Sequence, residues 1–239
     1  MRNLFHILKK KNLIRYVDDS IKKELSISFN KKLAKTIYKS RKEFGEGHPL
    51  YTSEFGHWDV VLGIFDVTGK GDKYYITFSE GPSFDVSYCF NKVGTVERAL
   101  KNKVTYIPCD DEIFALSLIL PGNGNIYSYG HNNTMHNIKR KYVLTNGKIH
   151  EISQPFYYIG KKTVSLKDQA VYSDENLNKV AFRITKGYRI TVVGIKSIKY
   201  RNSRKDLYLV SSEFGLIGWV MSDNSQTETQ FQGFYFYGD

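Results

Sequence analysis

From Trp58 onwards the chain is written in short runs of β-branched and aromatic residues separated by turns rich in Gly, Asn and Asp. That pattern admits strands and little else, because flat and branched side chains pack well on a pleated surface while the punctuating residues supply turn geometry. Val60-Val61-Leu62-Gly63-Ile64-Phe65 and Lys73-Tyr74-Tyr75-Ile76-Thr77-Phe78 bracket the loop Asp66-Val67-Thr68-Gly69-Lys70-Gly71-Asp72. Phe84 to Phe90, Val104 to Ile107, Ile113 to Leu120, Ile126 to Tyr129 and Tyr142 to Leu144 continue the series. Asn146-Gly147 is a two-residue hairpin signal that joins the last of these to Ile149–Ile152. Only Thr95–Leu100 reads as a short helix. The spacing predicts a meander or a curled antiparallel sheet.

The first 43 residues differ in character. They hold 13 Lys and Arg against 4 Asp and Glu, whereas the whole chain has 35 against 24. The basic excess therefore sits in the head, and the body is close to neutral. A body of that balance argues against a nucleic-acid groove in the β region, since phosphate contacts need clustered Lys and Arg. Phe29, Leu33 and Ile37 recur every four residues, with Ala34 and Tyr38 beside them, and predict a basic amphipathic helix ended by Gly45 and Gly47. A shorter helix is expected around Leu4 to Tyr16. Helices of this kind pack on their own domain or lie on an anionic membrane, and packing is the expected outcome here.

Two cysteines, Cys89 and Cys109, are compatible with a disulfide in an oxidising compartment or with buried thiols in a reducing one. Thiols are the preferred reading, because a chain of this size does not depend on a single bridge. No stretch approaches the roughly 20 apolar residues of a membrane helix. The opening Met1 to Leu8 runs straight into Lys9-Lys10-Lys11 and lacks the apolar segment of a signal peptide, so the expected compartment is the cytoplasm, or the cell envelope if a leader has been trimmed.

After Gln154-Pro155, where proline interrupts strand pairing, a second set of strands begins. Val164 to Tyr172 opens it, Ser173 to Asn176 forms a polar loop, and Val180 to Ile184 alternates. Lys186-Gly187 turns the chain into Tyr188-Arg189-Ile190-Thr191-Val192-Val193. The basic loop Lys196 to Lys205 precedes Leu207-Tyr208-Leu209-Val210, and Phe214-Gly215-Leu216-Ile217-Gly218-Trp219-Val220 closes the series. Gly215 suits the positive φ of a tight hairpin, and Gly218 suits a close approach of the next strand.

With its Lys-Gly turn, bulky alternating strand and Gly-x-x-Gly-Trp-Val close, this stretch resembles a bacterial SH3 domain. The usual Asn-Val-Arg opening is replaced by Gln169-Ala170-Val171-Tyr172, a departure that leaves the ligand open. The stretch from Pro155 to the terminal Phe234-Tyr235-Phe236-Tyr237-Gly238-Asp239 is also similar to uncharacterised proteins of the Bacteroidota that pair an N-terminal β region with a C-terminal SH3-like domain. The tail Phe231 to Tyr237 is too aromatic to be left in water and is expected to dock on the protein.

Several constellations suggest chemistry and fall short of it. Asp66-x-Thr68-x-Lys70-x-Asp72 offers alternating oxygens, but Lys70 places a cation among them, so a hairpin loop is expected rather than a calcium site. His131 and His136, with Cys109 nearby in sequence, suggest a Cys–His pair or a zinc site, but their spacing is not that of a helical metal pair and their setting reads as loop. Pro121-Gly122-Asn123-Gly124-Asn125 lacks the glycines and the following helix of a phosphate cradle.

The resulting expectation is a mainly β, α+β overall chain: basic helices over 1–47, a central antiparallel β domain over 48–159, and an SH3-like small barrel with an aromatic tail over 160–239. The expected function is non-enzymatic binding of a peptide, protein or peptidoglycan fragment, without cofactor, metal or nucleic acid. Tyr172, Tyr188, Tyr200, Tyr208 and Trp219 are the expected groove lining, with the core as the alternative place for Tyr208 and Trp219. The rival readings are a hydrolase site in the 58–150 region built on Cys109, His131 or His136, and membrane attachment through the basic head.

Overall fold

The computed structural model describes residues 13–17, 26–30, 34–37, 60–80, 86–103, 108–131, 136–200, 203–222 and 230–234. These form a nearly all-β structure of three sheets and, among the described residues, one short helix. The chain divides into two compact units, one holding Met1–Asn133 and Arg140–Ile152, the other Thr134–Lys139 and Ser153–Tyr237. Strands are numbered in chain order.

One sheet has the order β1 (Leu13–Val17), β2 (Ser26–Asn30), β8 (Ser117–Leu120), β9 (Asn125–Gly130), β10 (Ile138–Thr145) and β11 (Lys148–Glu151), and belongs to the first unit except for Ile138 and Lys139. The other runs β3 (Ala34–Ile37), β4 (Val60–Asp66), β5 (Lys73–Glu80), β6 (Val86–Lys92) and β7 (Asp111–Phe114). Both sheets contribute to a single core, in which Ile27, Phe29 and Leu118 from the first meet Phe65, Ile76 and Phe90 from the second. The rings of Phe29 and Phe65 meet edge to face at 4.9 Å. Helix α1 (Val93–Lys101) covers the reverse face of the second sheet, where its Val96 packs against Tyr75. Tyr74 and Ile76 face the core and Tyr75 the helix, as the period of two requires.

The helical reading of the head is overturned. Ser26-Ile27-Ser28-Phe29-Asn30 is a strand paired antiparallel with β1 and parallel with β8, and Ala34–Ile37 is a strand paired with β4. The competing signal was the alternation of Ser and apolar residues: Ile27 and Phe29 point to the core, 2% and 1% exposed. The four-residue spacing of Phe29, Leu33 and Ile37 joins residues of two separate strands, and Leu33, Tyr38 and residues 1–12 lie outside the described residues. Both β1 and β3 are edge strands of their sheets, and each carries one cation, Arg15 and Lys35. The parallel β2–β8 pair also departs from a purely antiparallel central domain.

Ile113 to Leu120, expected as one strand, is two. The chain changes sheets at Ala115-Leu116, whose amides donate to Val86 O at 2.9 Å and Tyr129 O at 2.9 Å, one in each sheet. Gly130 makes the crossing possible: a Cβ there would fall 2.5 Å from Leu116 N. The Asn146-Gly147 hairpin is present, with positive φ at both residues. The Thr95–Leu100 helix is present within α1, while Val104–Ile107 lies outside the described residues.

The second unit contains one sheet, in the order β12 (Tyr157–Val164), β15 (Arg189–Tyr200), β16 (Ser203–Ser212), β17 (Ile217–Met221), β13 (Gln169–Tyr172) and β14 (Val180–Ile184). Val171, Ile184, Val192, Tyr208, Val210 and Val220 build its core. Gly215 adopts φ 81° in the β16–β17 turn. A Cβ on Gly218 would meet Tyr172 O at 2.5 Å, so only glycine lets β13 come this close. The tail docks within its described part: Phe231 bridges to Ser165, and Phe231 and Phe234 are each 1% exposed.

The preference for free thiols is also corrected. Cys89 on β6 is joined to Cys109 by a disulfide with Cα atoms 5.5 Å apart. The chain returns to β6 after α1 because Asp110 is anchored there, its amide donating to Asn91 Oδ1 at 3.0 Å and its carboxylate accepting from Lys92 N at 3.0 Å. The bridge closes a sequence separation of 20 residues. In the chain-entropy picture a loop of that length stabilises by about 3 kcal/mol. Urea titrations of the reduced chain, or of a Cys89→Ser/Cys109→Ser variant, are expected to show the first unit losing stability of that order relative to the oxidised protein.

Candidate functional site

Among the described residues, two grooves are traced on the second unit. The smaller, about 250 Å³, is lined among others by Lys167, Gln169, Tyr172, Val220, Met221 and Gln230. Its floor is a buried polar network. Gln230 Nε2 donates to Gln169 Oε1 at 2.8 Å and to Met221 O at 2.8 Å, and Gln169 Nε2 donates to Ser165 Oγ at 2.8 Å. Ser165 Oγ in turn donates to Lys167 O at 2.7 Å. Ser165, Gln169 and Gln230 are all buried, so these bonds satisfy groups that would otherwise be costly to remove from water. The network ties the tail to β13 and holds the groove's polar and apolar linings in register.

The larger groove, about 710 Å³, is lined by residues that include Lys162, Thr163, Arg189, Thr191, Ser212 and Glu213. Pairing of Lys162 with Thr191 and of Thr191 with Ser211 lays it across β12, β15 and β16. Thr163 Oγ1 donates to Gln232 O at 2.7 Å, and Ser212 Oγ accepts from Leu216 N at 3.0 Å. Immediately beyond Glu213 the turn carries Phe214, Leu216 and Ile217, which are 86%, 53% and 59% exposed.

Among the described side chains, Tyr172 lines a groove while Tyr208 and Trp219 are buried. Tyr172 is half-buried and lines the smaller groove. Its register partner Trp219 lies beside it on β17 but is buried, with Phe156 edge-on at 6.4 Å. Phe156 reaches that position over Gly194, where a Cβ would collide with its ring. Tyr208 is a core residue, 3% exposed, its ring centroid 5.5 Å from Phe231, 5.8 Å from Phe234 and 5.6 Å from His136. Tyr188 is half-buried against the same core. Tyr200 ends β15, and its side chain lies outside the described residues. Sequence reading missed Gln169 and Gln230, whose partnership spans 61 residues, and the cations Lys162 and Arg189, which fall in unremarkable strands. The apolar run Phe214 to Ile217, around the hairpin expected at Gly215, was the available signal for the exposed tip.

The other constellations resolve into structure. Asp66 Oδ1 accepts from Gly69 N at 2.8 Å and Asp66 Oδ2 from Gly71 N at 2.8 Å, so this carboxylate closes the β4–β5 hairpin loop. Cys109 is engaged in the disulfide, and chemistry on its sulfur would require reduction first. His131 is buried in the first unit, and His136 is buried in the aromatic cluster of the second. Among the described residues no group of three His, Cys, Asp or Glu side chains converges. Lys139 sits with its Nζ 4.7 Å from the centre of the Tyr158 ring, and burial holds its ammonium below the ordinary lysine range.

No protein family, curated protein or solved structure matches the chain.

Gln169 and Gln230 make the floor of the smaller groove testable. Gln230→Ala leaves the buried Gln169 amide oxygen without its bond, at a cost of about 1–3 kcal/mol. Thermal unfolding is expected to show that loss, and hydrogen exchange is expected to rise selectively at Leu166 and Gln232, whose amides bond across the tail pairing. Gln169→Glu/Gln230→Glu, which sets two carboxylates against each other, should be worse than either single change.

Proposed function

We propose that the chain is a non-enzymatic binding protein whose second unit is an SH3-like module that takes a peptide, protein segment or cell-wall fragment in the Tyr172 groove. The observation that carries this reading is how the groove is made. The half-exposed Tyr172 ring stands beside Val220 and Met221, Lys167 brings a cation, and the buried Gln169–Gln230 pair supports them from below. A ring that stacks on apolar or sugar faces, next to a cation that meets a carboxylate, suits a short acidic peptide or the stem of a muropeptide. The volume admits one or two residues of such a ligand.

Support for the SH3-like character comes from the antiparallel strands β13 to β17 in one sheet, turned on Gly215 and brought together where Gly218 faces β13. The disulfide of the first unit favours an oxidising compartment, and with it a ligand met outside the cytosol. Among the three ligand classes this weights the reading towards a cell-wall fragment.

The test is a titration of the full chain with soluble muropeptides and with acidic peptides, followed by calorimetry and by amide shifts. Tyr172, Val220 and Met221 should shift together, and Tyr172→Ala should weaken binding about tenfold, the loss of one stacked ring. If ligands of both kinds leave these amides unmoved, or if Tyr172→Ala binds as tightly as the parent, the groove is not the recognition site.

A further inference from the structure

We propose that the β16–β17 turn docks on an anionic lipid bilayer, with Phe214, Leu216 and Ile217 entering the interfacial layer while Lys162, Lys186 and Arg189 meet its headgroups. This rests on residues separate from the Tyr172 groove and does not depend on that reading.

Three of four consecutive residues at this turn are large and apolar, and each is more than half exposed. Isolated exposed hydrophobics are common, but a cluster of three at the tip of a hairpin is not explained by the fold, since none of them joins the core of the unit. The turn stands clear of its surroundings: a Cβ built on Gly215 meets nothing within 4 Å, and the same holds for Gly187 in the turn before β15. Register places the two turns at one end of the sheet. Ile190 pairs with Ser212 and Val164 with Arg189, so β15 starts where β16 finishes. Exposed Arg189 and Lys186 therefore flank the apolar tip, and Lys162 lines the adjoining groove.

Among the described residues two acids share this end. Glu213 lines the same groove, and the Asp168 carboxylate is occupied by the Lys186 amide at 2.8 Å. The cations outnumber them, which suits an anionic surface.

Size decides between lipid and protein as the occupant. A stable protein interface buries roughly 800 Å² on each partner, more than three side chains on one turn supply. Lipid docking needs only a small apolar wedge and a basic surround, because its strength grows with inserted apolar area and with attraction to anionic headgroups.

The experiment is sedimentation of the full chain with vesicles of phosphatidylcholine alone and of phosphatidylcholine mixed with phosphatidylglycerol. Phe214→Ser/Leu216→Ser/Ile217→Ser removes the wedge from exposed positions, and an unchanged melting temperature verifies its fold. Lys162→Glu/Arg189→Glu removes the charge. The parent is expected to bind the mixed vesicles, less so as salt rises. Each variant should partition at least roughly tenfold more weakly.

Failure of the parent to bind the mixed vesicles would overturn the proposal, as would undiminished binding by the serine variant, which would move any attachment to another part of the chain. Self-association of the parent that the serine variant abolishes, seen by light scattering in the absence of lipid, would assign the tip to a second copy instead and likewise overturn it.

Discussion

The second unit depends on the pairing of its tail with the segment that follows β12. Leu166 N bonds to Gln230 O and Gln232 N to Val164 O, at 2.9 and 3.0 Å, and these two bonds set the direction from which Phe231 and Phe234 enter the core. Both rings then stack edge-on against Tyr208, the largest side chain of that core. Without the tail, Tyr208 would lose its neighbours on one side, and the buried Gln169 amide and Ser165 hydroxyl would lose the group that organises them. Removing packed aromatic surface and leaving polar groups unsatisfied act in the same direction here. The geometry of the smaller groove is thus inherited from a contact made by residues at the far end of the chain.

The strands after Trp58 were legible because each carries its own evidence of burial on one face: Tyr74 and Ile76 alternate with Tyr75, and the turns that join them use residues suited to positive φ, as at Asn146-Gly147. The roles of Gly215 and Gly218 were legible for the same local reason. The head was not. Its five-residue strand Ser26–Asn30 is too short for its alternation to outweigh a coincident four-residue spacing, and what selects the strand is pairing with β8, far downstream. Tertiary pairing overrides local preference in such cases.

The candidate sites divide along the same line. Tyr172 was chosen from sequence as an amphipathic ring in an opening strand, and it lines the smaller groove. Trp219 was harder to place, since its burial depends on Phe156, which reaches it by crossing Gly194. The Gln169–Gln230 partnership had no local signature, because two glutamines separated by 61 residues are indistinguishable from solvated ones until the tail is in position. The disulfide was left to compartment arguments for the same reason: proximity of Cys89 and Cys109 follows from the Asp110 anchor and not from their spacing.

The parallel register of Ser26–Phe29 with Ser117–Leu120 has a consequence for biosynthesis. Parallel neighbours cannot be joined by a tight turn, and β2 must wait until almost half of the polypeptide has left the ribosome before its inner partner exists. During that interval Ile27 and Phe29 have no permanent shelter, and β1 can offer them only a two-stranded ribbon, which is marginal in water. The first unit should therefore mature late and slowly for its size, since the loop entropy of a remote pairing is spent before the contact rewards it. The dense positive charge of the sequence on either side of β2 would keep nascent chains apart through that delay.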